Sequence, residues 1–310
     1  MNAIVEQALR LWGLEGADYR LIAARENAVY RIDYGGRATA LRLHRVGYRS
    51  DPELRSELQW MAAVAEGGIG VPAPVPASDG RRLHVVEGVQ VDMLTWLNGA
   101  SLTAVLQDSG ATGSAPLFHQ LGREMAALHD ICDRWTPPEG FTRCAWDRPG
   151  LLGEAPLWGR FWDHPMLDAE DRALFRTARQ VADANLADIE AGLDFGLIHA
   201  DLVGENVMVD EGRIRMIDFD DGGFGFRLFD IATALVKNLD RPDYPDLKAA
   251  LIEGYLAVRA IDLSAFDLLL MIRAATYVGW NIERISENGA RARSERVIRT
   301  ARTLARAYLA

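Results

Sequence analysis

The sequence predicts an α+β chain in two lobes, a small antiparallel-sheet lobe over residues 1–97 and a larger, mainly helical lobe over 98–310. Three observations predict it. Up to about position 97, short apolar-alternating runs are punctuated by Gly-containing turns, the pattern of paired strands. From about Leu102 the apolar residues recur at helical spacing in long segments. One stretch, Phe195 to Phe219, returns to short strand-like runs inside the helical part.

MNAIVEQALRLWGL reads as an amphipathic helix carrying Glu6 and Arg10, without the basic start and apolar centre of a signal peptide. Val29 to Tyr34, Gly35-Gly36 and Ala38 to His44 form a predicted hairpin. Within it Leu41 and Leu43 alternate with Arg42 and His44, so the two pairs point to opposite faces. Next comes SDPELRSELQWMAAVAEGG, in which Ser50 and Glu53 make a capping box, Pro52 fits the first turn and Gly67-Gly68 end the helix. VPAPVPASDG returns the chain to the sheet, and a second hairpin spans Arg82 to Leu94 with its turn at Glu87-Gly88.

Helices are expected over Leu117–Ile131, Ala169–Ala191, Asp246–Val258, Phe266–Ile285 and Ala290–Leu309. His129 reads as a C-terminal cap of the first of these. Val207-Val209 and Ile214-Ile217, joined by Asp210-Glu211-Gly212, form the embedded hairpin.

A chain of 310 residues with 49% hydrophobic and 25% charged residues has ample length for sizeable cores. No uninterrupted apolar run reaches the ~18 residues of a membrane span, so no membrane partner is expected. Cys132 and Cys144 fit neither a disulfide framework nor zinc-ligand spacing, and reduced thiols in a cytoplasmic protein are the expectation. The net charge of −10 argues against nucleic acid as a partner and favours a neutral or cationic substrate.

The chemistry concentrates in LIHADLVGENVMV, where apolar runs flank His199, Asp201, Glu205 and Asn206. Burying such charge costs several kcal/mol unless it is paired or bound to metal. A second polar cluster, Asp218-Phe-Asp220-Asp221, follows the returning strand. An antiparallel return is expected to bring Asp201, Asn206 and Asp218 together. A carboxylate with an amide oxygen offers the hard ligands that Mg²⁺ prefers, leaving positions for phosphate and water. A further carboxylate can accept or orient a hydroxyl proton, which completes the parts of a phosphoryl-transfer site. Glu205 reads as a solvated loop acid. The aromatic region Trp135, Phe141, Trp146, Trp158, Phe161 and Trp162 reads as packing for a loop-rich segment; a cation-holding pocket is the other reading.

The spacing H-x-D-L-x-x-x-N followed by D-F-x is that of a kinase catalytic loop and metal element. "HADLVGEN" and "MIDFDD", with "GRFWDHP" and "GFRLFDIATAL", resemble the aminoglycoside phosphotransferase and choline kinase superfamily, which includes stress-response kinase A and type II homoserine kinase. The resemblance implies a protein-kinase-like fold, ATP and Mg²⁺ as cofactors, and a hydroxyl-bearing acceptor. It makes Asp201 the catalytic carboxylate, Asn206 and Asp218 the metal ligands, His199 a brace, and Asp230 the acid that holds the catalytic loop. Asp220 becomes either a second metal contact or a loop-structuring residue. Asn27 and Ala28, in ARENAVYRI, take the place of the phosphate-covering turn, and Thr95, Trp96 and Leu97 that of the adenine-binding backbone. Arg42 stands where these folds carry a phosphate-binding Lys. Glu53 is accounted for by the capping box, so Glu57, one turn further on, is the expected partner of Arg42. The acceptor stays open between a small amino alcohol, sugar or antibiotic and Ser/Thr of a protein; a catalytically silent nucleotide-binding module is the remaining alternative.

Overall fold

The structure, a computed structural model, describes residues 2–24, 27–109 and 113–310; Arg25 and Glu26 of ARENAVYRI lie outside the described residues. The first elements are α1 (Asn2–Leu11), β1 (Asp18–Ala24), β2 (Ala28–Tyr34), β3 (Arg37–Leu43), α2 (Asp51–Glu66), β4 (Leu83–Val86), β5 (Val89–Thr95), β6 (Ala100–Ser101) and α3 (Leu102–Ser109). They are followed by α4 (Ser114–Arg134), β7 (Ala145–Trp146), α5 (Arg148–Leu152), α6 (Ala169–Ile189) and β8 (Phe195–Ile198). The last are β9 (Val207–Asp210), β10 (Arg213–Met216), β11 (Gly223–Phe226), α7 (Arg227–Val236), α8 (Tyr244–Leu256), α9 (Phe266–Trp280) and α10 (Ala290–Leu309). The chain divides into two compact units. One gathers residues up to 105 with 134–143 and 205–220; the other holds 106–133, 144–204 and 221–310.

The first unit carries a five-stranded antiparallel sheet in the order β1-β2-β3-β5-β4. On one face Val5, Ala8 and Leu9 of α1 pack with Tyr30, Ile32, Leu41, Leu43, Val91 and Met93. The period of two along β3 turns Arg42 to the opposite face, where it meets α2. Three hairpins in this unit close through two-residue turns with positive φ at both positions: Gly35-Gly36, Glu87-Gly88 and Glu211-Gly212. That is the type I′ geometry whose twist matches paired strands, and Gly fills its second position each time. The α2 capping box forms as expected, with the Ser50 N–H donating to Glu53 Oε2 at 2.9 Å.

The sheet unit runs past position 97 and takes in a distant hairpin for a reason of pairing. β9 joins β10 on one side and β6 on the other, and the Met216 N–H donates to the Gly70 carbonyl at 2.8 Å. At Gly99 (φ +118°) an added Cβ would lie 2.5 Å from the Val209 carbonyl oxygen, so only glycine permits this approach.

In the second unit β11 pairs antiparallel with β8 and parallel with β7. α9 packs against α7 and α10, and α10 packs in turn against α6. Every residue of α7 is buried. α9 ends at Trp280 rather than Ile285, where the chain turns through Asn281 toward α10. Among the described residues no helix is long and apolar enough to cross a membrane.

Candidate functional site

In the first unit the five-stranded sheet holds a buried charge cluster. The register sets Arg42 on β3 directly across from Asp92 on β5. Arg42 forks onto Asp92, Nε to Oδ1 and Nη2 to Oδ2, both at 2.8 Å, while Nη1 donates to Glu57 Oε1 at 2.7 Å. The expected partnership of Arg42 with Glu57 is therefore formed, and Asp92 joins it. His44 Nε2 lies 2.7 Å from Asp92 Oδ2. Burial opposes ionisation of both acids, but Arg42 outweighs it and holds the Asp92 and Glu57 carboxyls below the usual carboxylate range. Burial likewise opposes the Arg42 charge, and the two carboxylates raise its pKa well above the ordinary arginine value.

Arg143 extends the cluster toward the MIDFDD segment. Its Nη1 donates to Glu57 Oε2 at 3.4 Å, and its Nη2 donates to the carbonyls of Phe219 (2.9 Å) and Asp220 (2.6 Å). Arg49 Nη2 donates to the same Asp220 carbonyl at 2.9 Å. The Phe219 ring meets Trp60 edge-on, with centroids 5.0 Å apart. These contacts grip the backbone immediately after Asp218, whose φ of +69° is a left-handed conformation that a non-glycine residue adopts at a cost of about 1–3 kcal/mol. The Ile217 N–H donates to the Asn206 carbonyl at 2.9 Å, so Asn206 and Asp218 sit at the same end of the β9–β10 hairpin. The backbone thus brings an amide-bearing and a carboxylate-bearing residue to one hairpin end, and both are oxygen donors of the kind Mg²⁺ prefers.

The remaining predicted positions of this unit are mixed. Asn27 Oδ1 accepts from the Arg45 N–H at 3.4 Å, and Ala28 opens β2. Thr95 ends β5; its N–H donates to the Ala73 carbonyl and its Oγ1 accepts from the Ala73 N–H, both at 2.8 Å. That amide is committed to the fold. Trp96 and Leu97 are half-buried, and Arg31 stacks over the Trp96 ring at 4.9 Å.

In the second unit the catalytic-loop motif hangs on Asp230. This fully buried carboxylate accepts the backbone N–H of His199 (2.9 Å) and of Ala200 (2.7 Å), and lies 3.0 Å from His129 Nε2. Ala200 has φ +65°, so the turn that presents Asp201 is held in a left-handed conformation by the acid thirty residues away. His199 is fully buried, and its Nδ1 accepts from the Asp201 N–H at 3.4 Å. Arg273 Nη2 donates to Asp201 Oδ1 at 2.8 Å.

His129 is not a helix cap. It lies within α4, which continues to Arg134, and its Nδ1 is 2.8 Å from the Tyr255 hydroxyl. Burial, with the Arg227 charge, pushes its pKa down to about 4. The ring is neutral at pH 7, donating from Nε2 to Asp230 and accepting from Tyr255. Burial opposes the Asp230 charge, but the His129 hydrogen bond and the backbone donors hold its carboxyl below the ordinary value. A consequence for stability follows. Between pH 6.5 and 4 the unfolded chain binds a proton at His129 that the folded chain does not, so stability falls as the pH drops through that window. The loss is expected to reach about 2 kcal/mol by pH 5 relative to pH 7.5. Urea titrations of the parent and His129→Gln at those pH values check it, and an equal pH slope in both proteins would exclude His129 as the source.

The aromatic region resolves mainly into packing. Trp146, Phe161 and Trp162 are core residues. The ring faces meet the chain's own arginines: Arg179 over Trp162 at 4.2 Å, Arg284 over Trp280 at 3.9 Å, and Arg273 over Trp158 at 4.4 Å and Tyr277 at 4.2 Å.

The family model for a phosphotransferase enzyme family matches residues 18–269. The chain belongs to that family. A solved microcompartment-associated aminopropanol kinase is 30% identical, with a TM-score of 0.87 over 100% of this phosphotransferase and 98% of that chain. A homoserine kinase of Cupriavidus necator is 32% identical over 72% of the phosphotransferase and 66% of the relative, and an amicoumacin kinase of Bacillus subtilis 25% identical over 82% and 73%. An amicoumacin kinase solved with AMP-PNP and Ca²⁺ shares the fold at 18% identity, with a TM-score of 0.77 over 97% of this chain and 93% of that one. The phosphotransferase is thus an enzyme of protein-kinase-like fold.

Sequence reasoning missed Asp92, Arg143 and Arg273. Two carried a signal: Asp92 is the lone acid in the strand VQVDMLT, and Arg273 the lone cation in the apolar run LLLMIRAATYVGW. Arg143 sits in a polar loop and carried none.

Proposed function

We propose that the phosphotransferase moves the γ-phosphoryl group of ATP, with Mg²⁺, to the hydroxyl of a small amino alcohol. The similarity to an aminopropanol kinase along the whole chain carries the acceptor class, and the homoserine kinase relative also names a small hydroxyl-bearing amine. Asn206 and Asp218 would hold the metal, which would supply positive charge against that of the nucleotide phosphates. Arg42 has five N–H donors, of which three serve Asp92 and Glu57, leaving two for a phosphate oxygen. Asn27 and Ala28 cover the phosphates. With the Thr95 amide bonded to Ala73, adenine recognition falls to the backbone of Trp96 and Leu97.

Asp201 accepts the hydrogen bond of the acceptor hydroxyl and aims its oxygen at the γ-phosphorus. The new O–P bond forms as the bond to the bridging oxygen breaks, ADP departs, and the hydroxyl proton leaves through Asp201. Positioning and charge supply the catalysis, since a loose phosphoryl-transfer transition state asks little of a base.

Two measurements test the reading. ATP with Mg²⁺ at 100 times its Kd is expected to stabilise the fold by about 2.7 kcal/mol in thermal unfolding. Labelled ATP offered with aminopropanol, homoserine, amicoumacin and choline is expected to label aminopropanol fastest. Choline is expected to be poor, because the Trp158–Tyr277 faces that would suit a quaternary ammonium already hold Arg273. No thermal shift, or a shift with no labelled acceptor, overturns the proposal.

A further inference from the structure

Arg273 is the one cation of α9, fully buried on a helix whose other residues are apolar or aromatic except Asp267 in its first turn and Thr276. A buried guanidinium is costly unless paired. Its pairing is specific: Nη2 donates to Asp201 Oδ1 at 2.8 Å and to the Tyr277 hydroxyl at 3.1 Å, and Nη1 donates to Thr276 Oγ1 at 3.1 Å. Trp158, Tyr277 and Phe229 enclose the group, with ring centroids 4.4, 4.2 and 5.3 Å from its central carbon. Thr276 and Tyr277 are themselves on α9, so the fork is aimed by its own helix and walled by rings from α7 and the 158 loop.

We infer that Arg273 is a positioning residue for the reaction, acting through Asp201; this rests on the role given to Asp201 above. Asp201 follows the strained Ala200 turn and its side chain is 21% exposed, so without a partner its carboxylate could rotate among several rotamers. The Arg273 bond fixes Oδ1, and with it the plane of the carboxylate that receives the substrate hydroxyl. A dissociative transfer asks little of a base, so holding Asp201 on a guanidinium is compatible with the chemistry. What it secures is the direction of the attacking oxygen, and misplacement by about 1 Å is enough to cost about 100-fold in rate. The rings keep the guanidinium from turning away to water.

The test uses the full chain with ATP–Mg²⁺ and aminopropanol, with slow ATP hydrolysis by water followed in parallel. Arg273→Met, close in volume, is expected to lower kcat about 100-fold while the KM for ATP and the ATP thermal shift stay at parent values. Arg273→Lys restores the charge without the fork and is expected to fall between the two. Added guanidinium ion at millimolar concentration is expected to raise the rate of Arg273→Gly, which leaves the guanidinium's place between the rings open, and not that of the parent, a response that lost packing alone does not produce. Tyr277→Phe, which removes one anchor, covers the case in which Arg273→Met melts early. Parent kinetics in Arg273→Met, or no rescue and no lysine recovery, overturns the inference. Asp201→Asn is run beside them. If it keeps the parent rate, or if the parent shows neither reaction, the Asp201 reading fails first; if it is impaired while Arg273→Met is not, only the role of Arg273 fails.

Discussion

Asp201→Asn is expected to lower kcat by about 10²–10⁴-fold while ATP with Mg²⁺ still stabilises the variant as it does the parent. Asn is the informative replacement because its carbonyl oxygen still accepts from Arg273 Nη2, which lies 2.8 Å from Asp201 Oδ1. The exchange of a charged for a neutral acceptor is expected to cost about 1 kcal/mol of stability, a loss visible in urea titration and too small to explain the rate. The elements that present the loop are untouched, since Asp230 continues to accept the amides of His199 and Ala200. Nucleotide contacts are assigned to other residues, so the KM for ATP is expected to stay near that of the parent and the whole effect to fall on kcat. Steady-state kinetics with aminopropanol and a thermal shift with ATP–Mg²⁺ make the check. Parent turnover in Asp201→Asn would remove Asp201 from the mechanism, and a lost thermal shift would move it from the acceptor side to the nucleotide side.

What could be read from the sequence follows the range of the interaction concerned. The Ser50–Glu53 capping box, the Gly-bearing turns of three hairpins and the long helices are set by residues a few positions apart, and local spacing announces them. The HADLVGEN and MIDFDD motifs are legible for the same reason, each being one loop. The contacts that fix these loops join distant positions: Asp230 to Ala200, Arg143 to Phe219, and Arg273 to Asp201 across seventy-two residues. No local period reports such pairings. His129 shows how a local rule misleads. A histidine near the end of a predicted helix reads as a cap, yet α4 runs on to Arg134 and the ring is recruited inward by Asp230 and Tyr255. Arg42 shows the intermediate case. Its helix partner Glu57 could be chosen by eliminating Glu53, whereas Asp92 needed the register of β3 against β5.

Asp92→Ala is expected to destabilise the fold by about 3–5 kcal/mol, the cost of leaving a buried cation without its main partner. The Arg42 fork would lose both of its 2.8 Å bonds to Asp92, and His44 would lose its 2.7 Å neighbour, all within a region closed to water. Glu57 alone would remain, and Glu57 is shared with Arg143. The melting temperature is expected to drop on the order of 10 °C. A companion variant separates stability from function. Replacing the cluster together, Arg42→Met with Asp92→Leu and Glu57→Gln, removes its three charges and fills the space while the Gln amide oxygen still accepts from Arg143, and such exchanges of buried ionic groups are often neutral or stabilising. The triple variant is therefore expected to regain most of the lost stability while the thermal shift with ATP–Mg²⁺ is lost. Recovery of nucleotide binding together with stability would make the cluster a folding device alone. If stability returns and binding does not, the sheet maintains this costly arrangement to hold Arg42 ready for phosphate, with Asp92 setting the plane of the guanidinium and Glu57 its reach.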